Sequence, residues 1–191
     1  KGRQMAALIR WAVKQGEKPI FITQKADLFS DIYRDLVDVG SGDLVPFIFN
    51  SPSAKENKGE MVDANGNVVH RGLSDAAMKK VMASGTLPDE YDFAVLTYSQ
   101  VNTGDAISQQ EMEEAAKKSG TRTKKSKNVK NGKATPKATF LRAIAEDNYL
   151  LLDESHTAAG SSNTGAYLQS IIRTAKAATF ASATFAKRPD T

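Results

Sequence analysis

Short runs of continuous apolar residues, set between stretches of helical periodicity, constrain this chain most. Ile20-Phe21-Ile22-Thr23, Asp92 to Tyr98 (DFAVLTY) and Tyr149 to Asp153 (YLLLD) do not alternate polar with apolar. A strand of that kind must be covered on both faces, which is the condition of a parallel sheet between helix layers. Val45 to Phe49 and Ala177 to Ala183 read as two further strands. The fold class that follows is α/β, a parallel sheet with helices on both faces.

The intervening segments supply the helices. Met5, Leu8, Ile9, Ala12 and Val13 form one apolar face, with Gly16 as a stop. Asp27 is positioned to cap a second helix through Leu28, Ile32 and Leu36, ending near Gly40. Further helices are predicted over Ser74 to Ala83, Ser108 to Lys118, Ala138 to Ala145 and Thr164 to Thr174. Residues 50 to 72 are polar and Gly-rich, and Asn65-Gly66 between Met61-Val62 and Val68-Val69 predicts a hairpin.

Charge is uneven. The net charge of +4 comes from 26 Lys and Arg against 22 Asp and Glu. Nine of the basic residues lie between Lys117 and Lys137, and no acid occurs between Glu114 and Glu146. The rest of the chain is mildly acidic, which argues against a uniformly basic, histone-like protein. With Gly120, Gly132 and Pro136 and few large apolar residues, 117–137 reads as a basic flexible insertion. There is no Cys, so disulfide frameworks, thiolate metal sites and Cys nucleophiles are excluded. No apolar stretch approaches the ~20 residues that span a bilayer.

Three short motifs carry chemistry. Asp153-Glu154, followed by Ser155-His156, ends the most apolar strand. Ligands of an open parallel sheet bind at that edge. One carboxylate there can hold Mg²⁺ and its neighbour can deprotonate a water. The plain alternative is that the two acids end a strand and open a turn. Lys1-Gly2-Arg3 directly precedes the first helix, which is how a phosphate-binding loop ends. Ser182-Ala183-Thr184 follows the last strand and offers two small hydroxyls. Each of the last two motifs is weak when read alone.

Their order resembles motifs I, II and III of superfamily-two helicases and translocases. Asp153-Glu154-Ser155-His156 looks like the DExH box and Ser182-Ala183-Thr184 like the SAT motif. Lys1-Gly2-Arg3 resembles the end of the phosphate loop in the strawberry-notch helicase-like family. Asp27-Leu28, the stretch Arg34 to Gly40 (RDLVDVG) and Thr97-Tyr98-Ser99 resemble that family's following motifs.

The resemblance implies a three-layer RecA-like lobe of the P-loop NTPase type over 1–191, the first of two, with its first strand and most of the phosphate loop lying upstream. It implies ATP held by Lys1, Gly2 and Arg3, Mg²⁺ held by Asp153, and Glu154 as the base for the attacking water. His156, Ser182 and Thr184 would couple the nucleotide to the nucleic acid. One departure stands out: ordinary phosphate loops place Ser or Thr after the Lys to ligate Mg²⁺, and here that residue is Gly2. Ser155 stands where some relatives carry Cys.

Nucleic acid, DNA first among the choices, is expected at Gln24 and Lys25 and at Thr97 and Ser99, after the early strands. The basic insertion offers salt-dependent phosphate contacts without base stacking. Deleting 117–137 is expected to spare the fold and weaken DNA binding modestly at low salt. His70 reads as a surface or turn residue, and Trp11 as packing. Asp63 to Asn67 is not an EF-hand, because Val68 and Ser74 stand where Gly and Glu are required.

The expected function is the ATP-hydrolysing lobe of a helicase or translocase in the cytoplasm, or in the nucleus of a eukaryote. A second lobe, a fused methyltransferase and a phage or plasmid origin accompany the resemblance. The fragment alone is expected to hydrolyse ATP slowly or not at all. The alternatives are a catalytically inactive DNA-binding or assembly module and another P-loop ATPase of the AAA type.

Overall fold

Five parallel strands form the central sheet, in the order Pro46–Ile48, Phe93–Thr97, Ile20–Thr23, Tyr149–Asp153 and Ala177–Ala181. The computed structural model describes residues 1–49, 59–101, 136–157 and 163–182. In chain order the elements are α1 (Gly2–Lys14), β1 (Ile20–Thr23), α2 (Leu28–Asp38), β2 (Pro46–Ile48), β3 (Glu60–Val62) and β4 (Val68–Arg71). Then follow α3 (Asp75–Ser84), β5 (Phe93–Thr97), α4 (Tyr98–Val101) and α5 (Pro136–Ala145). Last come β6 (Tyr149–Asp153), a 3₁₀ turn at Ser155–Thr157, α6 (Asn163–Ile172) and β7 (Ala177–Ala181).

The apolar runs are apolar because each strand feeds two cores. Ile20, Ile22, Ala94, Leu96, Leu150 and Leu152 face one side, against Met78 of α3, Phe140 and Leu141 of α5, and Tyr167, Leu168 and Ile171 of α6. Phe21, Phe93, Val95 and Leu151 face the other, against Met5 and Ile9 of α1 and Phe29, Ile32 and Leu36 of α2. Side-chain alternation along a strand thus divides one sequence run between two layers. The expectation of a parallel sheet covered on both faces holds.

The hairpin of β3 and β4 forms as its Asn-Gly signal predicts, with Gly66 at φ +84°. The Asp63 carboxylate accepts from the Asn65 and Asn67 amides, each at 2.8 Å, so it ties a turn. The hairpin docks on α2: the Val62 amide donates to Ser30 Oγ, and Met61 is fully buried. Gly16 and Gly40 follow α1 and α2 with positive φ, as stops should.

Three expectations need correction. Asp27 makes no side-chain cap, because a turn that begins at Lys25 has already given it helical backbone angles. His70 is half-buried, edge-on to Tyr33 with ring centroids 5.5 Å apart, because β4 lies over α2. Trp11 packs as expected, edge-on to Tyr149 at 5.2 Å, with about half of it exposed (48%). Pro136 and Lys137 belong to α5, where Lys137 lies over the Phe49 ring, so they are not part of an insertion. The Ser108–Lys118 helix, and the insertion apart from its last two residues, lie outside the described residues.

Candidate nucleotide site

Because all five strands run parallel, their carboxyl ends share one edge of the sheet. The register sets Thr23 beside Thr97, Ile22 beside Leu152, and Asp153 beside Ala181. The residues just beyond these ends therefore form one row: Gln24, Tyr98, Glu154 and Ser182. Helix α1 starts at the same edge, since Lys1 meets the end of β6.

Lys1 joins the two acids. Its ammonium is hydrogen-bonded to Glu154 Oε1, a residue 153 positions away. The same ammonium lies 2.9 Å from Asp153 Oδ1, an ion pair without the alignment of a hydrogen bond. Partial burial works against the charge on Lys1, but the Glu154 and Asp153 carboxylates outweigh it and hold its pKa above the ordinary value. Glu154 has φ +50°, the left-handed region that a side chain enters at a cost. That turn leads straight into the 3₁₀ segment carrying His156. His156 Nδ1 lies 3.2 Å from Glu154 Oε2 and 2.8 Å from Ser182 Oγ. One imidazole thus bridges the ends of β6 and β7. Thr184 lies outside the described residues.

Gly2 and Arg3 are not drawn into this cluster. Arg3 binds Asp38 of α2 through Nη2 at 2.8 Å and Nε at 3.1 Å. A Cβ on Gly2 would collide with the Asp35 carboxylate, also from α2. With glycine after Lys1, the Asp35 carboxylate lies where a side chain would otherwise project. Burial pushes the Asp35 carboxyl above its ordinary pKa, with Arg3 opposing. Sequence reading missed Asp35, although it stands in the Arg34–Gly40 stretch that carried the family resemblance.

The loop after β5 is more closed than expected. Thr97 is buried, its hydroxyl 2.8 Å from Ser99 Oγ, and its amide donates to Gln100 Oε1. Gln100 Nε2 in turn donates to the Phe49 carbonyl at 3.4 Å. Only Ser99 of the pair faces solvent, so Thr97 holds the loop rather than a ligand. Gln24 and Lys25 are exposed. Tyr98, also missed, donates from its hydroxyl to the Asp153 carbonyl at 2.8 Å.

The donor set fits Mg²⁺. Asp153 Oδ1 is a buried hard oxygen at the strand end, already balanced by a cation. Mg²⁺ commonly needs only one or two protein carboxylates, with phosphate and water completing the shell. Among the described residues no group of three or more acids and His is gathered for a metal. Gly2 offers no oxygen, so Asp153 would be the principal protein ligand. No helix among the described residues is long and apolar enough to cross a membrane. No family model, curated protein or solved structure matches the chain.

Proposed function

We propose that this chain is the ATP-binding, RecA-like lobe of a nucleic-acid-dependent ATPase, a helicase or translocase of the DExH type. The observation that carries the reading is the meeting of Lys1 with Asp153 and Glu154. A helix-start Lys and two strand-end carboxylates converge at the carboxyl edge of a parallel sheet. These are the parts that phosphoryl transfer from ATP uses.

Each residue has a task in that reaction. The Lys1 ammonium, now held by the carboxylates, binds the β- and γ-phosphates when ATP enters. Leaving Glu154, it frees that carboxylate to accept a proton. Glu154 orients a water whose oxygen attacks the γ-phosphorus while the bond to the β-phosphate oxygen breaks. The proton of that water passes to Glu154 Oε, and ADP and phosphate leave. Asp153 would hold Mg²⁺, which when bound would supply positive charge to the phosphate oxygens. His156 and Ser182 join the acid to the neighbouring strand end, so a shift in one reaches the other. Ser99, Gln24 and Lys25 offer contacts to a nucleic-acid backbone, with DNA as the first choice. A second lobe in the same longer protein would complete the cleft.

One observation favours a second reading, a nucleotide-binding module without turnover. Gly2 supplies no hydroxyl of the kind that usually helps to hold the metal. The two readings separate with a fluorescent ATP analogue and Mg²⁺. Wild type is expected to bind it, Lys1→Ala to lose at least tenfold in affinity, and Glu154→Gln to bind like wild type while turnover disappears. Binding unaffected by Lys1→Ala would remove the proposal, and binding without turnover in wild type, with DNA and a second lobe supplied, would favour the module.

A further inference from the structure

We infer that Tyr98 is a positioning residue for Glu154, fixing the peptide from which the Glu154 carboxylate projects and tying it to the loop after β5. This rests on the ATPase reading for what Glu154 does, but not for how Glu154 is held.

The carbonyl that accepts from Tyr98 belongs to Asp153, so it is the oxygen of the peptide joining Asp153 to Glu154. Rotation of that peptide swings the Glu154 side chain. Glu154 sits at φ +50°, a conformation that persists only where the surroundings over-determine it. A hydrogen bond to the preceding carbonyl is a direct means of doing so. In the left-handed conformation Glu154 reaches Lys1 on one side and His156 on the other.

Tyr98 is suited to this task. It is buried in the core on the face lined by Leu96 and Leu152. Its hydroxyl reaches the Asp153 carbonyl at 2.8 Å from this buried position. Its backbone is fixed from both sides, by the Gln100 side chain on the Thr97 amide and by the Thr97–Ser99 hydroxyl pair. Ser99, the exposed member, is one residue away. A ligand that moves Ser99 therefore moves the anchor of Glu154. The linkage is contiguous: Ser99, Tyr98, the Asp153 carbonyl, Glu154.

Tyr98→Phe removes one oxygen and keeps the ring. In the isotopically labelled 191-residue chain, the strong intraresidue amide–Hα cross-peak that a positive φ gives at Glu154 is expected to weaken in this variant. In single-turnover reactions with DNA and a second lobe supplied, Mg·ATP affinity should stay within twofold while hydrolysis slows at least tenfold, a split that simple loss of stability would not produce. An unchanged Glu154 cross-peak with an unchanged rate overturns the inference. If wild type binds no Mg·ATP, the ATPase reading fails, and the Glu154 cross-peak alone decides the positioning role. If Tyr98→Phe does not fold, the wild-type hydroxyl proton decides: slow exchange with solvent upholds the bond to Asp153, and rapid exchange overturns it.

Discussion

Asp35 of α2 stands where a side chain on Gly2 of α1 would have to go. Gly2→Ser would restore the residue type that ordinary phosphate loops carry, yet it is expected to damage the protein. The Asp35 carboxylate has to turn aside, and because it is the flexible end of a side chain the cost stays at the low end for overpacking, about 1 kcal/mol. For a chain of this size each kcal/mol lowers Tm by roughly 2–4 °C. Adding Asp35→Ala should recover most of the loss, because the two changes touch the same space and will not be additive. Thermal unfolding of the two singles and the double decides it; a double as unstable as Gly2→Ser would sink the explanation.

His70 gives the fold a pH dependence on the acid side. Burial holds its imidazole below the ordinary 6.5. The fold favours the neutral ring, so the unfolded chain binds the proton more readily. Stability from this group is therefore full above about 6.5 and declines as pH falls through that value toward the folded one. Wild type should lose Tm faster than His70→Gln between pH 7.5 and 5. Parallel curves for the two proteins would show that another group sets the slope.

Lys137 should act at the opposite end of the scale. It lies over the Phe49 ring, 4.9 Å from the centroid, and burial brings its pKa down to about 8. Between about 8 and the ordinary 10.5 the unfolded chain holds a proton that the folded chain has released. Its contribution therefore rises with pH across that window. At pH 7 the fold carries a poorly solvated cation, so Lys137→Met is expected to gain about 1–3 kcal/mol in urea unfolding. A loss of stability would mean that the ring–cation contact outweighs desolvation.

Thr23 ends β1 with a buried hydroxyl that has no partner among the described residues. Thr23→Val has nearly the same shape and removes the unpaired group. A gain of about 1 kcal/mol is expected, since an unsatisfied buried hydroxyl costs that much or more. Loss of stability on this change would imply a bonding partner for the hydroxyl.

The strands were legible because burial on both faces leaves an apolar run with no polar beat, as in Leu150-Leu151-Leu152. The stops at Gly16 and Gly40 and the hairpin turn at Gly66 were legible because the positive φ there favours glycine. Strand order was not, since nothing local in Ile20–Thr23 says that β5 and β6 will flank it. The expectation that Lys1 and Asp153–Glu154 share a site came from motif order, and the geometry brings them together. Arg3 instead pairs with Asp38 of α2, a partner that motif order does not reveal. Tyr98 and Asp35 escaped notice for one reason. Their partners are a main-chain oxygen and an absent side chain, and neither leaves a mark in sequence spacing.

The open side of β7 has a practical consequence. Beyond this strand no other is paired among the described residues, and Ala177–Ala181 carries no charge, no proline and an outward, 59% exposed Phe180. Natural sheets usually guard such a margin with lysine, proline or a bulge. With nothing among the described residues to guard it, it offers a template for a neighbouring molecule's backbone. Solubility of the purified chain should therefore be limited by this margin, falling steeply with concentration, and a single lysine at position 180 should do more to keep it in solution than any change to its net charge elsewhere.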